Sequence, residues 1–215
     1  LTQNPPPKRK YDSSRRQVQA RETCQQIVES ARTLFFMRGY SGTTIDAIAQ
    51  AAAVSPETVY SIFSNKRNIL SHLMDISVGG DDQPIRLLER PEPQAVLRES
   101  DQHRQIAMFS QGITEILARV APLFEVLRSA AKTEKDIEDM LNHLLKERLE
   151  NMTAFARQVA GNGSLREGME VSTAAELLWT ITSPEIFLLL TRDRNYSKQQ
   201  YSAWLQATLT RLLLP

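Results

Sequence analysis

The chain has 215 residues, 41% of them hydrophobic and 24% charged, with a formal net charge of +1. That is the balance of a globular protein, and the lack of any run of eighteen apolar residues argues against a membrane-spanning helix. A single cysteine, Cys24, excludes an intramolecular disulfide and fits a reducing cytosol, so a cytoplasmic location is expected.

Residues 1–14 are proline-rich, polar and basic. They read as a disordered arm without the apolar core of a signal peptide. From about Arg15 a helical stripe begins: Cys24, Ile27, Val28, Ala31, Leu34 and Phe35 recur at spacings of three and four. Gly39 ends it, because glycine takes the left-handed C-terminal conformation cheaply. In SGTTIDAIAQAAAV, Thr43 or Thr44 is placed to cap a second helix and Asp46 lies in its first turn. Ile45, Ile48, Ala49 and Ala52 form its apolar face. Ser55-Pro56 then starts a third helix, with serine as the cap and proline where its missing N–H costs nothing. Val59, Ile62 and Phe63 are its expected buried face, leaving Thr58, Tyr60 and Ser61 on the other side. A fourth helix starts near Asn65, with Ile69, Leu70, Leu73 and Met74 as its stripe.

GGDDQP at 79–84 is the clearest breaker and reads as a hinge or a long interhelix loop. A short helix is expected at 85–90, then longer helices over roughly 94–119, 121–131, 134–160, 171–192 and 197–214. Pro184 should kink or restart the penultimate one. The chain shows no strand-like alternation of useful length and no internal repeat. The expected fold is all-α with about nine helices: a three-helix helix-turn-helix unit over 15–64 and a larger helical domain over 65–215.

Charge is unevenly spread. Residues 1–70 hold ten Lys/Arg against five Asp/Glu, and the remainder holds sixteen against twenty. A basic front and an acidic back point to a polyanion at the front end, or else to a basic tail that binds nothing. Two short helices after a longer brace match a helix-turn-helix, whose last helix is cut to the few base pairs the major groove admits. Restarting a helix at Asn65 offers free N–H groups and Lys66 to a phosphate. The bland alternative is a three-helix cap whose polar residues face solvent.

The segment IVESARTLFFMRGYSGTTIDAIAQAAAVSPETVYSIFSNKRNIL resembles the N-terminal domain of the TetR family of bacterial transcriptional regulators. The resemblance runs over about sixty contiguous residues, 15–75, and Tyr60, Phe63 and Lys66 fill family positions. PLFEVLRSAA, ELLWTITSPEIFLLL and YSAWLQATLTRLLL are similar to the C-terminal half of one branch of that family. The resemblance implies phosphate contacts from Thr44, Tyr60 and Lys66, with Ser55, Pro56, Thr58 and Ser61 near bases or backbone. Two positions depart from the pattern. Ala53 stands where the turn glycine is usual, at a cost of roughly 1 kcal/mol in a left-handed turn. Glu57 replaces a small residue, either to accept from cytosine N4 or to support the helix start. The implied function is a ligand-responsive regulator, a repressor released from a pseudo-palindromic double-stranded DNA operator by an unidentified small-molecule effector.

One helix-turn-helix reads too few base pairs alone, so a homodimer through the last two helices is expected. Its candidate contacts are Leu177, Leu178, Ile181, Ile186, Leu189 and Leu190 on one helix and Trp204, Leu205, Leu209 and Leu212 on the other; the alternative is that they pack within their own domain. Candidate effector-pocket residues are Met74, His103, Phe109, Leu117, Phe124, Leu127, Met140, His143 and Trp179; the leading alternative for each is ordinary core, and His103 and His143 either orient a polar ligand group or sit on the surface. His72, His103 and His143 are too dispersed for a metal site, so neither metal nor cofactor is expected. No phosphate-binding glycine loop, HExxH or Ser-His-Asp pattern is present, which argues against an enzyme. The competing class is a helical scaffold with a vestigial helix-turn-helix.

Overall fold

The computed structural model describes residues 13–215, and the expected basic arm lies outside them apart from Ser13 and Ser14. The described residues form ten α-helices and no strand. They are α1 (Ser13–Arg38), α2 (Ile45–Ala51), α3 (Pro56–Phe63), α4 (Lys66–Gly79), α5 (Pro91–Arg98), α6 (Gln102–Ala130), α7 (Lys135–Asn162), α8 (Val171–Ile181), α9 (Pro184–Leu188) and α10 (Lys198–Leu213). A 3-10 turn at Leu87–Glu89 replaces the short helix expected over 85–90, and a π-helical turn, Leu189–Asp193, extends α9.

The front end is built as its pattern dictates. The α1 stripe buries Ile27, Ala31 and Phe35 in one apolar cluster with Ile48 of α2, Val59 of α3 and Ile69 and Leu70 of α4. Gly39 ends α1 at φ +70. Thr44, not Thr43, caps α2 by accepting from the Ala47 N–H at 3.1 Å. Thr43 is buried and donates to the Gly39 carbonyl at 2.8 Å. One face assignment is corrected: Ile62 is 40% exposed, while Val59 and Phe63 are buried. Residues turn by about 100° each along a helix, so an i, i+4 pair defines the buried line and its neighbour falls on the flank.

Helix α4 packs on α1 in front and on α6 behind. Arg119 of α6 holds its far end, donating to the carbonyls of Ser77 at 2.8 Å and Val78 at 3.3 Å. These are carbonyls that a helix end leaves without intrahelical partners, at the negative end of its dipole. The GGDDQP segment is not an open hinge. The Arg90 guanidinium, 8% exposed, pairs with both Asp81 carboxylate oxygens at 2.9 and 3.0 Å and also donates to the carbonyls of Gln83 and Ile85. Gly79 makes room for it: a Cβ there would stand 2.4 Å from Arg90 Nη2.

The long helices divide elsewhere than expected. The first, read over 94–119, breaks at 99–101, where Asp101 caps α6 by accepting from the Arg104 N–H at 2.7 Å. Helix α6 then runs through Pro122 and joins the segments expected as separate helices over 94–119 and 121–131. Leucines, valines and alanines on both sides of Pro122 are buried, and that packing offsets the lost backbone bond. The helix expected over 171–192 restarts at Ser183-Pro184, where Ser183 accepts from the Ile186 N–H, the same start grammar as Ser55-Pro56. The rear core lies among α6, α7, α8 and α10. No single helix among the described residues is long and apolar enough to cross a membrane.

Candidate nucleic-acid interface

The α2–α3 turn keeps a left-handed residue without glycine: Ala53 has φ +54. Its N–H bonds to Gln50 O at 3.2 Å and that of Val54 to Ala49 O at 3.0 Å, so the turn is locked despite the strain. Ser55 caps α3 by accepting from the Thr58 N–H at 3.2 Å, and the two hydroxyls share a further bond of 3.2 Å. Glu57 belongs to the same start. Its own backbone amide and then the Ser55 hydroxyl hold its carboxyl below the usual range. That is the helix-start role weighed for Glu57, and the carboxylate remains solvent-exposed.

Helix α3 is eight residues long, and Glu57, Tyr60, Ser61 and Ile62 are exposed on it, Tyr60 by 53%. Pro56 and Thr58 are half-buried, and Thr44 and Ser55 are exposed. The predicted contact residues therefore gather on the outer side of the α2 and α3 starts, except for Lys66. Asn65 caps α4 by accepting from the Asn68 N–H at 2.9 Å. The Lys66 ammonium, however, points back to the α1–α2 turn. It donates to the carbonyls of Tyr40 at 2.8 Å and Thr43 at 3.0 Å. It also lies 4.0 Å from the centroid of the Tyr40 ring, which is buried and stacks on Phe35. Burial lowers the Lys66 pKa, while Glu134 and Asp136 raise it.

The rear domain sorts its candidates by exposure. Met74, Leu117, Phe124, Leu127 and Met140 are buried core. Phe109 stacks on Phe155 with ring centroids 4.0 Å apart. His103 and His143 are exposed, so they do not line an interior pocket: both fall on the outward arc of long helices whose other faces are packed. Of the nine, Phe124 borders an opening, a cleft of about 370 Å³ between α6 and the α9 region, with Ala121, Arg128, Pro184, Ile186 and Leu189. Among the dimer candidates, Leu178, Leu205 and Leu209 are fully buried within their own protomer and serve its core. Their helices present one line inward, and the adjacent lines stay open. Leu177, Ile181, Ile186, Leu190, Trp204 and Leu212 are half-buried, and Leu189 is 53% exposed.

Two features had no sequence signal. The Ser41 hydroxyl in the α1–α2 turn donates to Glu134 Oε1 at 3.0 Å, joining the front end to the start of α7 across 93 residues. Arg148 of α7 reaches the end of α8, where it donates to the Trp179 carbonyl and to Thr182 Oγ1. Both depend on long-range packing that no local pattern encodes.

The family described as bacterial regulatory proteins, tetR family, matches residues 27–73, the stretch that builds α2, α3 and most of their supports. The chain is 22% identical over 179 residues to the fatty acid metabolism regulator protein of Bacillus subtilis, covering 83% of this chain and 89% of that one. Its fold is similar to that of NalD, the secondary repressor of the MexAB-OprM multidrug efflux pump in Pseudomonas aeruginosa: TM-score 0.68, 19% identity, 91% of this chain and 98% of that one. It is also similar to the transcriptional regulator FadR from Bacillus subtilis in complex with stearoyl-CoA: TM-score 0.64, 19% identity, 86% of this chain and 96% of that one.

Proposed function

We propose that this chain, a member of the TetR family of bacterial transcriptional regulators, is a ligand-responsive DNA-binding repressor that acts as a homodimer. It is a regulator and not an enzyme. The observation that carries the reading is α3: eight residues, capped at both junctions, with Glu57, Tyr60, Ser61 and Ile62 turned away from the core. A helix of that length fits a major groove across a few base pairs, and its polar residues are those that hydrogen-bond bases and phosphates. Thr44 and Tyr60 contact phosphates, Ser55, Pro56, Thr58 and Ser61 lie near bases or backbone, and Lys66 fixes the turn that places Thr44. Residues 15–64 form the DNA-binding unit and 65–215 the effector and dimer domain.

The dimer forms through α8–α10, on the apolar residues not used by the protomer's core: Leu177, Ile181, Ile186, Leu189, Leu190, Trp204 and Leu212. The regulatory switch is a difference in spacing between the two reading helices of the dimer. Helix α4 is gripped at one end by Arg119 of the rear domain and packs at the other on α1, so a shift of α6 moves the front end. The relative named for fatty acid metabolism and the neighbour holding stearoyl-CoA favour a small-molecule effector with a long apolar chain. The setting is cytoplasmic, where the operator is.

Selection of bound sequences from random double-stranded DNA tests the core of this reading. A pseudo-palindrome with half-sites about one helical turn apart is the expected outcome. Enrichment of no sequence would overturn DNA recognition, and enrichment of single half-sites would overturn the dimer. The switch is tested by titrating effector and operator together, because their mutual effects on affinity must be equal.

A further inference from the structure

Polar links hold the front unit to the rear domain near both ends of α4. At its far end Arg119 of α6 donates to the carbonyls of Ser77 and Val78 at 2.8 and 3.3 Å. At its near end the Ser41 hydroxyl, in the turn that Lys66 braces, donates to Glu134 Oε1 at 3.0 Å. Residues 66 and 77 stand about 16 Å apart at 1.5 Å per residue. The two links differ in strength. Arg119 is half-buried and makes two bonds on a helix that packs along α6, whereas Ser41 is exposed and offers one hydroxyl. A bond of the second kind is readily exchanged for water. The front unit can turn about the Arg119 end once the Ser41 bond opens.

The turn that carries Ser41 transmits such a movement. It is closed by the Thr43 N–H on Tyr40 O at 3.1 Å and by the Thr43 hydroxyl on Gly39 O at 2.8 Å. Lys66 bonds the carbonyls of Tyr40 and Thr43 from the other side. At Gly42 a Cβ would stand 2.4 Å from the Arg38 carbonyl oxygen, so the chain is tightly folded there. Thr44 and α2 therefore follow Ser41 as one piece. On the rear side Glu134 is the residue that starts α7, yet its side chain caps nothing there and is turned to Ser41. Lys135 pairs with Glu138 and Asp139, while the carboxylates of Glu134 and Asp136 act on the Lys66 ammonium.

We propose that Ser41 and Glu134 form an autoinhibitory latch, which sets the rear domain's carboxylates against the turn that meets DNA and which operator binding opens. The latch rests on the DNA-facing reading of Thr44 and α3 and names how that site is regulated. Thr44 lies three residues from Ser41, at most about 11 Å of chain. That is about one Debye length at 0.1 M salt, so a phosphate at Thr44 repels Glu134 and Asp136. Opening relieves the repulsion and leaves the Lys66 charge to the phosphate. By linkage, any ligand that favours the closed latch lowers operator affinity.

An operator duplex taken from the selection is titrated with the full chain as wild type, Ser41→Ala, Ser41→Thr, Glu134→Ala and the Ser41→Ala/Glu134→Ala double variant. Ser41→Ala changes no charge. It should tighten operator binding about two- to fivefold and leave the salt slope unaltered. Ser41→Thr keeps the hydroxyl and should keep the wild-type affinity. Glu134→Ala should tighten binding at least as much as Ser41→Ala. Adding Ser41→Ala to it should gain nothing more, because both act on one bond. Unaltered or weaker binding by Ser41→Ala, or additive effects in the double variant, would overturn the latch and leave DNA recognition standing. Enrichment of no operator would overturn DNA recognition itself, and the latch with it.

Discussion

The Lys66 ammonium stands 4.0 Å from the ring centroid of Tyr40 and donates to the carbonyl of that same residue at 2.8 Å. With its second bond to Thr43 O, it ties the start of α4 to the turn that presents Thr44. Lys66→Met keeps most of the aliphatic stem but strands two carbonyls and the cation–π contact. The expected loss is about 1–2 kcal/mol, read from urea unfolding. Salt titration separates bracing from direct contact. A phosphate contact makes the salt slope of DNA binding shallower by about 1 in the variant, whereas an unchanged slope identifies Lys66 as a brace only.

Ile62 is an apolar side chain exposed on a reading helix, on the flank it shares with Thr58 one turn earlier. An apolar group in the major groove has one base partner that suits it, the thymine methyl. On a selected operator, changing the matching thymine to deoxyuridine should weaken the wild type by about three- to tenfold and leave Ile62→Ala unaffected, an effect within the range for a single base contact. A deoxyuridine scan with no position sensitive to Ile62 would remove this role.

Ala53 carries left-handed strain that glycine would relieve, although glycine also loses more backbone entropy on folding. The net gain expected for Ala53→Gly is about 0.5 kcal/mol. Ala53→Val should lose more than about 1 kcal/mol, since a β-branched residue tolerates positive φ worst. Thermal unfolding of the three proteins gives the order Gly, Ala, Val from most to least stable; any other order refutes the strain argument.

Asp81 is held below the usual carboxylate range by the Arg90 guanidinium and then by the Gln83 amide. A depressed folded pKa means the pair stabilises above the ordinary Asp value near pH 3.9. That contribution disappears as pH falls through the lower folded value. Stability should therefore drop in acid more steeply for the wild type than for Asp81→Asn over roughly pH 5 to 2. Parallel pH profiles would show that the pair adds nothing to this dependence.

The front end was legible because its signals are local. Gly39, Thr44, Ser55-Pro56 and Asn65 each act within four residues on the backbone they terminate or start, so their positions carry the helix boundaries. Ser183-Pro184 and Asp101 use the same grammar, and Pro122 shows its limit. Proline breaks an isolated helix, but burial along α6 repays the missing bond. Ile62 and Leu205 mark a second limit, since a stripe three or four residues wide does not say which edge faces the core.

The amino-acid sequence by itself determined an all-α chain with a basic front, a short capped reading helix and a larger apolar rear. Those properties follow from periodicity, capping and charge, which act between near neighbours. Only the tertiary structure decided that Lys66 turns inward to Tyr40, that Ser41 meets Glu134, and that Arg148 reaches Thr182 at the end of α8. These pairs are 26 to 93 residues apart. Their partners are chosen by how whole helices pack, and no local pattern carries that information.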